Sequence, residues 1–146
     1  MNKPIESPLK VLFVIQALSS FLTGALGVFL PATIIGLSGL DLAATPAIQQ
    51  AGALSLGYTL GAMMALRAQS WAEVRIFAYA SFVAFALSLI GAAYYIFIVG
   101  VVALGLLVIL AASLIMTLGL AYYIWKYRAV EMNAGTKNMS RTGASS

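Results

Sequence analysis

The longest uncharged stretch of this chain constrains its fold more than any other feature. From Ile76 to Trp125, fifty consecutive residues include no Asp, Glu, Lys or Arg. A single helix of that length would reach about 75 Å, more than twice the roughly 30 Å hydrocarbon core of a bilayer. The stretch therefore predicts two membrane-spanning helices, about 71–98 and 102–127, joined by a tight turn around Gly100.

The whole chain has the composition of an integral membrane protein. Of its 146 residues, 62% are apolar and 8% are charged, whereas about a quarter of residues are charged in soluble domains. It contains no Cys and no His, which excludes disulfides, thiolate nucleophiles, Cys/His metal sites and imidazole catalysis. We therefore expect no catalytic residue, no metal site and no enzymatic activity of its own.

A first crossing precedes this uncharged stretch. Residues 11–30 are almost all apolar and are long enough for one crossing. They end at Pro31, which kinks or stops a helix. We expect the following segment, 31–45, to form an outer interfacial cap. A re-entrant loop and a kinked extension of the first helix to about Ser38 are the alternatives.

The second crossing is predicted over residues 46–66. Thr45 followed by Pro46 is typical of a helix start, a hydroxyl cap followed by proline at the first helical position. Small residues then recur every four positions and form one ridge, where another helix of this chain or of another subunit can approach closely. The predicted packing residues are Ala53, Gly57, Gly61 and Ala65.

The basic residues indicate the orientation in the membrane. With four crossings they all fall on one side, and the positive-inside rule places that side in the cytoplasm with Asp41 outside. Because they flank apolar runs, we assign them to topology and expect no nucleic-acid partner. They are Lys3, Lys10, Arg67, Arg75, Lys126, Arg128, Lys137 and Arg141.

These patterns together predict an all-α integral membrane protein. We expect an antiparallel four-transmembrane-helix bundle over residues 1–132, with both termini cytoplasmic and residues 133–146 a disordered cytoplasmic tail. Size and the lack of eukaryotic targeting signals place it in a bacterial inner membrane as a multi-pass protein. Aromatic residues beside basic ones are expected to anchor it at the membrane interface: Trp71, Tyr122, Tyr123, Trp125 and Tyr127.

One polar residue within the first helix is a candidate ligand-binding group. The amide of Gln16 needs partners in hydrocarbon, so it either pairs across helices or reaches a ligand such as a quinone or pigment carbonyl. Ser20 lies one turn further along the same face. We therefore treat Gln16 and Ser20 as the candidate cofactor-binding residues.

Three segments carry a resemblance to a known group. GALGVFLP (24–31), QQAGALSLGYTLGAMMALRA (49–68) and WAEVRIFAYAS (71–81) resemble the DoxX-like small four-helix membrane proteins. DoxX is a membrane subunit associated with quinone-linked sulfur oxidation, so the resemblance implies a lipophile-binding or complex-subunit role. It transfers no catalytic residue.

The expected function follows from two features of the sequence: ridges of small residues for helix packing, and no cluster of reactive side chains. The leading hypothesis is a structural or accessory subunit that lies in the bilayer and packs against other membrane subunits or itself. The first alternative is a subunit of a DoxX-like redox system that binds a lipid, quinone or pigment. The second is a carrier or channel for uncharged solutes, because no predicted membrane core contains Asp, Glu, Lys or Arg.

Overall fold

The computed structural model describes residues 4–142, and their side chains up to residue 129. Within this range the chain is helical and has no strand, which confirms the predicted all-α class. Its elements in chain order are α1 (Ser7–Phe29), α2 (Pro31–Ser38), a 3₁₀ turn (Leu42–Ala44), α3 (Thr45–Arg67), α4 (Trp71–Tyr94), a π-helical turn (Tyr95–Val99) and α5 (Leu104–Thr142).

Three helical segments within the described residues are long and apolar enough to cross a membrane. They are Ser7–Phe29, Trp71–Val99 and Leu104–Ala129, with mean hydropathies of 1.9, 2.3 and 2.5. Large apolar side chains project from all three, which suits a hydrocarbon solvent and not water. Helix α3 is also 23 residues long, but its glutamines, hydroxyls and glycines lower its hydropathy. The chain is thus a helical membrane protein.

The segment after α1 is a separate structure from that helix. Leu30 leaves the helical conformation with φ −134° and ψ 54°, and α2 then begins at Pro31. Gly39 ends α2 at φ 66°, a left-handed conformation that favours glycine. Residues 31–45 are therefore a short helix followed by a 3₁₀ turn, and α1 does not continue through them to Ser38.

The turn between α4 and α5 lies at the glycine where the sequence predicts it. A π-helical turn follows α4 and ends at Val99, and Gly100 then adopts φ 79°. This left-handed backbone conformation also favours glycine, which has no Cβ.

Helix α5 extends much further than the predicted crossing. It continues to Thr142, so it includes residues 133–142, where we predicted a disordered tail; residues 143–146 lie outside the described part of the chain. Propagating an existing helix adds a hydrogen bond for each residue and needs no new nucleation. The segment also contains good helix formers such as Glu131, Met132 and Lys137.

Helices α1 and α3 pack closely along their length because both contribute glycines at the crossing. A methyl group on Gly52 would lie 2.8 Å from the backbone nitrogen of Val28 and 2.9 Å from the carbonyl carbon of Gly27. A methyl group on Gly27 would lie 3.0 Å from the Cα of Gly52. The two backbones therefore touch directly, with no room for a side chain between them.

The start of α1, the α3–α4 turn and residue 127 of α5 meet at one end. The backbones of Pro4 and Ser70 pair in an isolated antiparallel β-bridge. The hydroxyl of Tyr127 accepts a hydrogen bond from the backbone N–H of Glu6 (3.0 Å) and donates to the carbonyl of Pro4 (3.2 Å). Its ring stacks on Trp71, with centroids 4.6 Å apart. The long helices therefore alternate in direction. We call this end the basic end, because every basic residue whose side chain is described lies at this end or within about two helical turns of it: Lys10, Arg67, Arg75, Lys126 and Arg128.

The buried core is concentrated toward the basic end. It joins residues from α1, α3, α4 and α5 into one cluster, in which Tyr127, Phe13 and Leu9 are the largest fully buried side chains. At the opposite end α2 packs against the start of α5, where a methyl group on Gly105 would lie 2.9 Å from the carbonyl oxygen of Leu37. The helices are thus held at both ends, and cavities lie between.

Candidate functional site

A groove opens between α3 and α4 above their contact near the basic end. The ring of Phe77 fills the space beside Gly61, and its centroid lies 6.3 Å from that of Tyr58. Beyond this ring pair the groove has a volume of about 220 Å³. We call it the Gln16 groove; its lining residues are Gln16, Ser20, Ala51, Leu54, Ser55, Tyr58, Ala84, Phe85 and Ser88.

Gln16 is the polar centre of this groove. Its side chain is 0% exposed, and its amide Nε2 donates a 2.8 Å hydrogen bond to Oγ of Ser81 on α4. Its amide Oε1 is also buried and accepts no hydrogen bond within the described structure. Because an unpaired buried acceptor costs roughly 1–3 kcal/mol, this oxygen is an energetic defect of the isolated chain.

Hydroxyl groups on α3 are already bonded to their own helix. Ser55 donates to the carbonyl of Ala51 at 2.9 Å, and Thr59 donates to the carbonyl of Ser55 at 3.1 Å. This back-bonding is usual for hydroxyls in apolar helices. The hydroxyl oxygen of Ser55 retains its lone pairs, so it presents an acceptor toward the groove and not a donor to Gln16.

A second cavity of about 380 Å³ adjoins the Gln16 groove and is covered by α2. Ala51 and Ser55 line both spaces, so the two are adjacent. We call it the roofed cavity. Its wall is mostly apolar, and its lining residues are Thr23, Gly27, Ile34, Ser38, Gly39, Leu40, Ile48, Ala51, Gly52, Ser55, Tyr95, Val101, Leu106 and Ile109. An apolar chamber beside a small polar centre is the usual form of a lipophile site.

The two candidate cofactor-binding residues lie together. Gln16 and Ser20 both line the Gln16 groove, as their spacing of one helical turn requires. Sequence reasoning does not single out Ser81, the partner of Gln16. Its position as a small polar residue in the uncharged part of α4 is the signal that could have identified it.

The predicted small-residue ridge of α3 divides into two halves. Gly61 packs under the ring of Phe77, and Ala65 belongs to the buried core. Ala53 is exposed, and so is Gly57, which has open space around it. The glycine that meets α1 is Gly52, one position before Ala53, so the ridge does not pack against α1 as a unit. In the sequence, the glycines of α1 are what indicates the close contact between α1 and Gly52.

The predicted aromatic anchors also divide. Trp71 (4% exposed), Tyr123 and Tyr127 are buried in the core, so their rings pack against protein; their role as interface anchors stays a prediction. Tyr122 and Trp125 (69% exposed) project outward. The physical reason is helical spacing: residues 116, 120, 123 and 127 form one apolar face, and residues 122 and 125 do not share it.

The chain was compared with protein-family models, curated proteins and solved structures, and no match was found. Among the side chains that the structure describes, no group of three or more metal-ligating residues lies together. The functional argument therefore depends on the geometry of the groove and the roofed cavity alone.

Proposed function

We propose that this protein binds a lipophilic molecule within the membrane, in the Gln16 groove and the roofed cavity beside it. The observation that carries the proposal is the pair of adjoining spaces, about 220 and 380 Å³. The apolar wall of the larger suits a hydrocarbon or ring system, and the Gln16 amide offers a specific polar contact. The resemblance of three sequence segments to DoxX-like proteins is consistent with a lipophile-binding role but does not enter this argument.

We also propose four membrane crossings, with α3 as the fourth spanning helix. Its support is the direct backbone contact between α1 and α3, since a helix packed so closely beside a spanning helix shares its depth. The gathering of basic residues at one end supports cytoplasmic termini in an inner membrane. A reporter that is active only in the cytoplasm, fused after residue 146, tests the orientation. An inactive reporter on a folded protein contradicts it.

A blocking substitution should remove the bound lipophile. Ala51 lines both spaces and is exposed, so the ring of Ala51→Phe should take up space beside both without entering the core. We expect purified wild-type protein to yield about one lipophilic molecule per chain on solvent extraction and mass spectrometry. Ala51→Phe should retain at least tenfold less, because the ring occupies the volume that the ligand needs.

The matched control is Ala47→Phe, at an exposed position of α3 that lines neither space. It should keep the wild-type amount of ligand. Equal retention in Ala51→Phe and wild type, or a wild-type extract that contains only bulk bilayer lipid, contradicts lipophile binding in these spaces.

The second candidate function is a structural or accessory subunit. What favours it is the exposed half-ridge of Ala53 and Gly57, which the packing within this chain does not use. Small residues on a lipid-facing surface allow another helix to approach closely. Purification in mild detergent followed by mass measurement tests it: a complex with another membrane protein is expected, and a monomer that binds nothing counts against it.

A further inference from the structure

The polar contact in the Gln16 groove specifies the chemistry of the ligand headgroup. We infer that the ligand carries a hydroxyl group, as a lipophilic alcohol or phenol does, and that this hydroxyl donates a hydrogen bond to Oε1 of Gln16. The inference rests on the proposed lipophile-binding function and defines the ligand class more closely. It uses one observation that the proposed function does not need: the amide nitrogen of Gln16 is hydrogen-bonded and the amide oxygen is not.

The amide nitrogen of Gln16 is already bonded. Nε2 donates to Oγ of Ser81 at 2.8 Å, whereas Oε1 is buried and accepts nothing. A ligand that offers only an acceptor, such as a quinone or ester carbonyl, would leave Oε1 unpaired. Because Oε1 has no exposed surface, a ligand donor reaches it only when the side chains around Gln16 move aside; the donor then satisfies Oε1 and leaves the bond to Ser81 intact. Only a ligand with a donor therefore gains the free energy of pairing this buried acceptor.

No described protein group donates a hydrogen bond to this oxygen. Ser55 spends its hydroxyl proton on the carbonyl of Ala51, and Ser19 donates to the backbone carbonyl of Gln16. Gln16 lies five residues after the predicted start of the first crossing at residue 11, about 7.5 Å into the hydrocarbon core at 1.5 Å per residue. Water is scarce at that depth, so the ligand is the natural source of the donor.

The groove also provides a route and a place for the apolar part of the ligand. Leu54 on its wall is 64% exposed, and Ser88 on the opposite helix is exposed as well. The groove is therefore open at the lipid-facing surface between α3 and α4. The roofed cavity lies next to it and shares Ala51 and Ser55 as lining residues. A hydroxyl bound at Gln16 thus leaves the attached chain or ring beside an apolar chamber.

Two matched pairs of radiolabelled probes test the inference on the full chain in lipid nanodiscs. One pair is hexadecanol and its methyl ether, and the other is 4-dodecylphenol and its methyl ether. Each ether keeps the acceptor oxygen and loses the donor. We expect the hydroxyl member of at least one pair to bind about tenfold more tightly than its ether. The pair that shows the preference distinguishes an aliphatic alcohol from a phenol.

Two variants assign the preference to Gln16. Gln16→Leu should bind alcohol and ether equally, since it replaces the amide acceptor by an apolar side chain of similar size. Gln50→Leu makes the same change at an exposed position outside both spaces and should keep the preference. Because the comparison of probes on the wild-type protein needs no variant, the test survives if Gln16→Leu does not fold.

The outcomes separate this inference from the proposed function. Equal binding of hydroxyl and ether probes in the wild type, or tighter binding of the ethers, overturns the hydroxyl inference and leaves lipophile binding standing. Binding of no probe, together with no extracted lipophile, overturns both. A hydroxyl preference that persists in Gln16→Leu also overturns the inference, because the acceptor must then be another group.

Discussion

Replacing Gly52 by alanine is expected to lower the melting temperature of the detergent-solubilised protein by roughly 2–12 °C. The added methyl group would lie 2.8 Å from the backbone nitrogen of Val28 and 2.9 Å from the carbonyl carbon of Gly27. Backbone cannot rotate away as a side chain can, so α1 and α3 must separate. Overpacking of this kind costs about 1–3 kcal/mol, and each kcal/mol corresponds to roughly 2–4 °C for a chain of this size.

The matched control lies on the same helix. Gly57→Ala makes the identical chemical change at an exposed glycine with nothing within 4 Å of the new methyl group. It should leave the melting temperature unchanged or raise it slightly, because alanine favours the helix. Thermal melts of the two variants, followed by circular dichroism, give the comparison. If Gly52→Ala melts with or above Gly57→Ala, the α1–α3 backbone contact is not what holds these helices together.

Replacing Trp71 by alanine should cause the largest single loss of stability. Trp71 is 4% exposed, and its ring stacks on that of Tyr127 with centroids 4.6 Å apart and planes 5° from parallel. It therefore joins the start of α4 to α5 in the core. Truncating a buried aromatic ring costs about 3–5 kcal/mol through lost contacts and the cavity left behind. Tyr127 also holds the N-terminal segment through its hydroxyl, so loosening its ring should weaken that contact too.

The chain provides a control in its second tryptophan. Trp125 is 69% exposed, so Trp125→Ala should change the free energy of unfolding by less than about 1 kcal/mol. Denaturant titration of both variants, with proteolysis at the N-terminal segment as a second readout, measures the difference. Equal losses in the two variants would mean that Trp71 acts as an interface anchor and not as a core residue.

Local chemistry is what the sequence predicts best. Pro31 ends α1 because it lacks a backbone donor, and Gly100 forms the turn after α4 because it tolerates φ 79°. Gln16 and Ser20 line one groove because they are one helical turn apart. Each of these inferences needs only the conformational preferences of a few neighbouring residues.

The same reasoning fails where two faces of a helix are both plausible. In α3 the four-residue spacing of Ala53 and Gly57 is correct for a ridge, but the neighbouring Gly52 makes the close contact with α1. In α5 the aromatic residues resemble an interface belt, yet Tyr123 and Tyr127 are core residues. Composition shows that small or aromatic residues are present, and only the rotation of the helix against its neighbours decides which of them pack.

By itself, the sequence determined that this is a helical membrane protein with its basic residues near a few helix ends, and that it lacks thiol and imidazole chemistry. Uncharged length and hydropathy are properties of the chain alone, so no tertiary contact can change them. Only the tertiary structure decided that Gln16 bonds Ser81 through one end of its amide while the other end has no partner, next to two adjoining cavities. These features arise between helices that are distant in sequence, where the relative position and rotation of each helix set every contact.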